Sequence, residues 1–296
     1  MKILNFGSLN LDYTYQVDHF VKAGETMSSL DRRLNVGGKG LNQSIALARA
    51  GAEAAHAGAV GRRDGGILLD ALKDAGVDVR HVAQLDSCDS GNAFIQVETS
   101  GENCIVLYGG ANQAIDEAMI DAVLRDYQEG DWIITQNEIS NMPYLIRQAH
   151  AKGMRIILNP SPMNDNVWKM PLADVDLFLV NEEEAAALAR QDADPLSALS
   201  KQYPHARIVM TLGTKGCRYW NGSKILENEC YKVHAVDTTG AGDTFTGYFI
   251  ACLAKGLEEA DALRYASMAS ALSVTRHGAS ASIPVMEEVL RFEKSL

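Results

Sequence analysis

The chain alternates short apolar runs with longer segments whose apolar residues recur every three or four positions. Ile3–Phe6, Ala54–Val60, Trp132–Thr135, Arg155–Leu158, Leu177–Val180 and Ile208–Thr211 read as buried strands. Between them, Leu41–Ala50, Gly65–Ala75, Ala118–Tyr127, Met142–Lys152 and Glu182–Arg190 carry helical periodicity. That order predicts right-handed βαβ units and a mostly parallel sheet covered on both faces by helices. Ligands of such sheets sit at the carboxyl ends of the strands. Beyond about Ala241 the pattern is helical, over Phe245–Ala254, Glu258–Val274 and Val285–Glu293, with a loop at Arg276–Ser282.

Two stretches break the alternation. Leu11–Asn35 and Asn92–Tyr108 are short and extended, with alternating polarity. The second predicts a hairpin of Asn92–Val97 and Cys104–Tyr108, turning through Thr99–Asn103. Small strands inserted near the ligand face predict a lid, against the plainer reading of an edge hairpin. With no internal repeat and no Pro/Gly/Ser-rich linker, residues 1–296 read as one α/β domain with lid insertions at 11–35 and 92–108.

Composition narrows the partners. The 296 residues are 47% apolar and 22% charged, enough for a sizeable core and against disorder. A net charge of −11 with no long Lys/Arg run argues against nucleic acid or a membrane surface as partner. An acidic chain that binds phosphates must then do so locally, with backbone amides and one or two placed cations. The N-terminus, Met1 to Gly7, lacks a signal-peptide pattern and turns straight into a strand. Cys88, Cys104, Cys217, Cys230 and Cys252 are scattered and never form C-x-x-C, which points to thiols in a reducing cytoplasm and gives no support to a zinc site.

The segment Asp237-Thr-Thr-Gly-Ala-Gly-Asp-Thr-Phe245 carries the densest chemical signal. Gly240, Ala241 and Gly242 are small enough to leave backbone N–H groups open at the start of a helix, an anion site. Asp243 places a carboxylate in the same turn. That pairing suits a hydroxyl losing its proton beside a held phosphoryl group. The alternative is a tight connection with Asp243 capping the helix. Gly37-Gly-Lys-Gly-Leu-Asn-Gln43 also precedes a helix, and its glycines permit close approach of a small ligand to the backbone. It is not a Walker A loop, because Arg33 and Gly40 stand where that motif needs Gly and Ser/Thr. In Gly7-Ser-Leu-Asn-Leu-Asp12, Asn10 and Asp12 point to one side of an extended strand and suit vicinal hydroxyls, although for the segment taken alone a strand-end turn is the better reading.

Gly7–Asp12, Gly37–Asn42, Asn159–Pro162, Asn181–Glu184, Thr211–Gly216 and Asp237–Asp243 occur in the order of the ribokinase-like (PfkB) sugar kinases, which the chain resembles along essentially its whole length. The resemblance implies a Rossmann-like three-layer α/β/α domain with a small β-sheet lid. It implies Asp243 as catalytic base and the Gly240, Ala241 and Gly242 amides as anion hole. Asn10, Asp12, Gly38, Lys39, Asn42 and Glu138 would hold the sugar. Asn181, Glu184, Thr211, Gly213 and Gly216 would form the nucleotide side with Gly242, with Glu184 organising Mg²⁺ of MgATP through water. A potassium-type cation would use Asp237, Ser282 and carbonyls of Thr239, Ser273, Arg276 and Gly278. A homodimer through the lid is also implied.

The combination of Gly-Gly-Lys-Gly-x-Asn-Gln with Asn10-x-Asp12 and Glu138 resembles the members that phosphorylate D-ribose at its primary hydroxyl more than those acting on fructose or nucleosides. Leu41 departs from the Ala frequent there, and Thr239-Gly240 replaces a more apolar pair; either change can reshape the pocket. Fructose, 2-keto-3-deoxygluconate and nucleosides remain alternatives. So does a sugar-binding regulator without catalysis, because fold alone does not fix function.

Overall fold

Strands of the central sheet divide their side chains between two apolar cores, as the two-residue period of a strand requires. The computed structural model describes residues 1–190 and 193–296. Its strands are β1 (Ile3–Phe6), β2 (Asn10–Val17), β3 (Asp31–Gly37), β4 (Ala54–Gly61), β5 (Asp78–Leu85), β6 (Gly91–Glu98), β7 (Asn103–Tyr108), β8 (Trp132–Gln136), β9 (Arg155–Asn159), β10 (Leu177–Asn181), β11 (Arg207–Thr211), β12 (Cys217–Trp220) and β13 (Ile225–Asn228). The helices are α1 (Lys39–Arg49), α2 (Gly66–Asp74), α3 (Glu117–Leu124), α4 (Met142–Ala151), α5 (Glu182–Ala189), α6 (Pro195–Gln202), α7 (Ala241–Ala254), α8 (Glu259–Ser273) and α9 (Met286–Glu293). Ile3, Trp132 and Ile134 enter the core under α1, α7 and α8, while Leu4, Phe6 and Ile133 enter the core under α3 to α6.

The main sheet has nine strands in the order β13-β12-β11-β10-β9-β8-β1-β4-β5. The pairs from β11 through β5 are parallel, and β12 and β13 add an antiparallel edge. The Rossmann-like α/β/α arrangement expected from the sequence is therefore present. A separate four-stranded sheet, β3-β2-β6-β7, corresponds to the two predicted insertions. The hairpin of β6 and β7 pairs as expected, Asn92 opposite Tyr108 through Val97 opposite Asn103. The first insertion is only partly extended: residues 18–30 between β2 and β3 form bends and a turn.

Four elements lay outside the sequence-based expectation. β5 is half-exposed along its length; β12 alternates buried with half-buried positions and β13 exposed with half-buried ones, over only four residues each, too short to show a period. α6 is also short, opened by Pro195 and capped by Asp194, whose side chain accepts from Ser197 N at 3.3 Å.

What positions the site is the end of β1 beside the end of β8, in register at Phe6 and Thr135. The chain leaves β1 for the lid, while β4 and β8 flank β1 on opposite sides, so Gly7–Asn10 and Gln136–Glu138 emerge together. α7 then packs across α1. It is buried on nearly every side, with Tyr248, Phe249 and Ile250 fully enclosed; each such side chain contributes on the order of 1.5–3 kcal/mol of transfer free energy.

Candidate active site

Asp243 receives one amide donor on each carboxylate oxygen. Asn42 Nδ2 donates to Oδ2 at 3.0 Å and Gln43 Nε2 donates to Oδ1 at 2.9 Å. Asp243 lies in the first turn of α7, whose N-cap Gly240 has φ 75, a left-handed conformation that a glycine adopts without strain. The cap is thus Gly240 and not Asp243, which leaves the carboxylate free to face the cleft. Asp243 is buried, as are both amides that hold it.

The expected anion hole is only partly open. Ala241 N–H donates to the Thr238 carbonyl at 3.2 Å, and Thr244 N–H closes the first helical bond to Gly240 O at 2.8 Å. Gly242 N–H has no acceptor among the described residues, in keeping with the free donors of a helix start. Lys39, Asn181, Glu184, Thr211 and Gly240–Asp243 line one cleft of about 160 Å³. Thr211, Gly213, Gly216 and Gly242 also border an adjoining cavity of about 500 Å³, walled by Tyr231, Val233, Ala271 and Val274. A polar cleft opening into an apolar slot suits a phosphate chain joined to a flat base.

On the other side, Asn10 and Glu138 line a cavity of about 550 Å³ beneath Leu107 and Tyr108 of the lid. Glu138 Oε2 accepts from Lys39 N at 3.0 Å and from the Ser8 hydroxyl. Burial raises the Glu138 carboxyl above its usual range, although the Lys39 ammonium, Ser8 and the Lys39 N–H pull it down. Asp12 is pushed up to about 7, by burial first and by the neighbouring Glu138 charge second. For Lys39, burial works against the charge, but Asp243, Glu138 and Glu184 outweigh it and its pKa ends above the ordinary lysine value. One ammonium among three carboxylates is a focal cation of the 160 Å³ cleft, and the Lys39 backbone N–H reaches Glu138 of the other cavity.

Gly40 has a packing role within the chain. A Cβ on Gly40 would lie 2.4 Å from Ser8 N and 2.6 Å from the Gly7 carbonyl carbon, so Gly40 lets α1 abut the turn after β1.

Three contributing residues were given no role from the sequence. Gln43 closes the Gly37–Gln43 motif, and the structure sets it against Asp243. Ser8 joins Glu138 to the turn after β1. Asn112 donates to Asn10 Oδ1 at 2.7 Å and accepts from Leu9 N at 3.0 Å, fixing how Asn10 faces the cavity. No motif marks it.

The cation candidates fit in part. Glu184 forms a capping box with Asn181, accepting from Asn181 N at 3.0 Å while Asn181 Oδ1 accepts from Glu184 N at 2.8 Å. Its other oxygen has no hydrogen-bond partner among the described residues, and in the cleft that Glu184 lines it would suit the water shell of a hard divalent ion. Asp237 accepts from Thr239 N and its hydroxyl at 2.9 and 2.6 Å, and from Gly278 N at 2.9 Å. It thereby ties the 237–239 segment to the 276–282 loop, the two stretches assigned to the monovalent cation. Burial raises the Asp237 carboxyl, but these hydrogen bonds and His277 bring it below its usual value. The Ser282 hydroxyl donates to Ala279 O at 2.8 Å and keeps its oxygen as a donor of lone pairs. An all-oxygen set of this kind suits a potassium-sized ion.

Comparison with known proteins agrees with this geometry. The model of the pfkB family carbohydrate kinases matches residues 1–286. A ribokinase of Haemophilus influenzae is 34% identical, the match covering 97% of this chain and 96% of the relative. The crystal structure of a Cryptococcus neoformans ribokinase in complex with ADP superposes with a TM-score of 0.84 at 31% identity, over 98% of this chain and 99% of that one. An Arabidopsis thaliana ribokinase complexed with ribose and ATP gives a TM-score of 0.88 at 27% identity, over 99% and 98% of the two chains. With its doubly held carboxylate at a glycine-capped helix start and with these relatives, the chain belongs to the pfkB family of carbohydrate kinases.

Proposed function

We propose that this chain is an ATP-dependent ribokinase, working as one kinase unit over residues 1–296. The observation that carries the reading is Asp243, held by Asn42 and Gln43 in the cleft it lines with Lys39, whose backbone N–H donates to Glu138 of the other cavity. Relatives that are ribokinases along nearly their whole length support ribose as acceptor.

In this reading Asn10, Asp12, Gly38, Lys39, Asn42 and Glu138 orient D-ribose with its primary hydroxyl against Asp243. Asp243 takes the hydroxyl proton as the oxygen attacks the γ-phosphorus, the bond from that phosphorus to ADP breaks, and ribose 5-phosphate and ADP form. A positioned base contributes roughly 10² to 10⁴ in rate. Lys39 and the open Gly242 N–H stabilise charge developing on the transferring group, the larger part of phosphoryl-transfer catalysis. Asn181, Thr211, Gly213 and Gly216 hold the nucleotide. Magnesium, ordered through Glu184 by way of water, neutralises phosphate charge when bound. A potassium ion at Asp237, Ser282 and the carbonyls of Thr239, Ser273, Arg276 and Gly278 would hold the anion-hole loop in place.

The five unpaired cysteines support a reducing cytoplasmic setting, and no helix among the described residues is long and apolar enough to cross a membrane. A homodimer through the lid completes the proposal, supported by the exposed Ile105, Val106, Leu107 and Tyr108 of β7.

The test is ADP release from MgATP with D-ribose in potassium buffer, against a control without sugar. Ribose-dependent turnover is the expected result. Turnover only with another sugar or a nucleoside would overturn the ribose assignment, and none with any acceptor would overturn the kinase. An unchanged rate on replacing potassium by tetramethylammonium would remove the cation.

A further inference from the structure

Behind Asp243 runs a line of three buried carboxamides that the proposed chemistry does not use. Asn5 on β1, Gln136 at the end of β8 and Gln43 on α1 are 0%, 0% and 1% exposed. Burying amides is costly unless their hydrogen bonds are made, and packed apolar side chains of the same shape would avoid that cost. Three such groups in contact therefore call for a reason.

Their orientation follows from one fixed end. The Gly40 carbonyl can only accept, so Asn5 must present Nδ2 to it, at 2.8 Å. Asn5 Oδ1 then faces Gln136, which donates Nε2 to it at 3.0 Å. The same Nε2 donates its second proton to Gln43 Oε1 at 2.7 Å. With its oxygen occupied there, Gln43 has only Nε2 to offer Asp243 Oδ1, at 2.9 Å. Gln136 uses both amide protons in this way while its Oε1 has no partner among the described residues. The line has a direction, from a backbone carbonyl to the carboxylate.

We propose that Gln43 and Gln136 are positioning residues for the phosphoryl transfer: the one-way amide chain from Gly40 O through Asn5 and Gln136 locks Gln43 with its donor toward Asp243 and so fixes the carboxylate against the sugar hydroxyl. Without Gln136, Gln43 is free to turn its amide over and set an oxygen against the Asp243 oxygen. Asn42, whose Oδ1 is unpartnered, has no comparable lock. The inference rests on the kinase reading and adds to it residues that touch neither sugar nor nucleotide.

The test is a double-mutant cycle in steady-state kinetics with MgATP and D-ribose, using Gln43→Met, Gln136→Met and the pair. Methionine matches the volume and cannot donate. Loss of one such hydrogen bond corresponds to about a tenfold fall in kcat for Gln43→Met. The ribose KM is expected to change less than about threefold, because the interaction matters chiefly in the transition state. Because Gln136 acts through Gln43, the pair should lose no more kcat than Gln43→Met alone. A merely structural role would lower the melting temperature, leave kcat per folded molecule intact and give independent effects.

Wild-type kcat in folded Gln43→Met, or losses that multiply in the pair, would overturn the chain. Should Gln43→Met not fold, the split between kcat and KM in Gln136→Met decides the same question: a fall in kcat alone supports the chain, and an unchanged kcat overturns it. The wild type run alongside separates the two levels. Its failure on every acceptor strikes the kinase reading, whereas its turnover with an unimpaired variant strikes only the amide chain.

Discussion

Gly247 of α7 meets Ala46 of α1 so closely that a Cβ on the glycine would lie 2.3 Å from the Ala46 Cβ and 2.8 Å from Leu47 N. Gly247 stands one turn beyond Asp243 on the same helix face, and Ala46 stands one turn beyond Asn42. The closest approach of the two helices thus sits directly behind the hydrogen bonds that hold the carboxylate.

Any side chain at 247 should push α7 away from α1. Overpacking of this kind costs about 1–3 kcal/mol, while alanine regains about 1 kcal/mol of helix propensity over glycine. Gly247→Ala is therefore expected to be mildly destabilised. Gly247→Val, without that gain, should lose more. Because displacement by about 1 Å can cost 10²-fold in rate, kcat should fall in both variants by more than stability alone explains. Urea midpoints and kcat for the two variants check this; folded Gly247→Val with wild-type kcat would contradict it.

Asp243→Asn places an amide where two amide donors converge. The unpartnered Asn42 Oδ1 offers a remedy, since turning that side chain over lets it accept from the new group. The variant should fold with a small loss of stability and lose at least about 10² in kcat, the smaller end of what a positioned base supplies. Comparing melting temperature with single-turnover rate separates the two effects, and near-wild-type turnover would remove Asp243 as base.

How much of this was readable beforehand follows the range of the interactions involved. Asp243, Asn42 and the glycine turns lie in two short segments whose local requirements leave a mark on residue type. The main strands were legible because both faces are buried, so their apolar runs are continuous. β5 is an edge strand half-exposed along its length, and β12 and β13 span only four residues each at the other edge, so their alternation resembles a loop. Gln136, Asn5 and Asn112 act by meeting residues far along the chain, at Gln136–Asn5, Gln136–Gln43, Asn5–Gly40 and Asn112–Leu9. Nothing local distinguishes them. Gly40 and Gly247 belong to the same class, since what they admit is another part of the chain.

The raised pKa of Asp12 makes stability depend on pH in a defined direction. Its carboxyl titrates near 3.8 when free and at about 7 in the fold. The folded protein holds the proton more tightly, so Asp12 favours folding below its free value and loses that contribution as pH climbs toward 7. Each pH unit crossed between the two values costs up to about 1.4 kcal/mol. Asp12→Asn does not titrate, whereas Glu138 remains in both proteins. The stability of the variant relative to wild type should therefore rise by about 1 kcal/mol or more between pH 5 and pH 8, while ribose affinity falls. Urea unfolding at the two values measures the first effect and calorimetric titration with ribose the second; a pH-independent difference would contradict the environment assigned to Asp12.

The lid offers the last prediction. Its edge strand β7 is exposed at every position, and Ile105, Val106, Leu107 and Tyr108 are 51%, 62%, 65% and 52% exposed. An unpaired apolar edge is a pairing surface that a lone molecule would ordinarily protect with charge. On the opposite edge β3 carries Arg32 and Arg33, with Arg33 paired to Asp31 at 2.9 Å. Although β3 also exposes Leu34, the continuous apolar run lies on β7 and the neighbouring Phe94, whose ring is tilted against Tyr15 at 4.8 Å. A dimer through this surface should be broken by Val106→Glu, because a carboxylate in the centre of an apolar contact is left without a partner. Light scattering should give about twice the monomer mass for wild type and the monomer mass for the variant, in keeping with a two-fold contact. Since Leu107 and Tyr108 also roof the sugar-side cavity, the monomeric variant should show a higher ribose KM with kcat less affected. A wild type already monomeric at working concentration would remove both the dimer and that link.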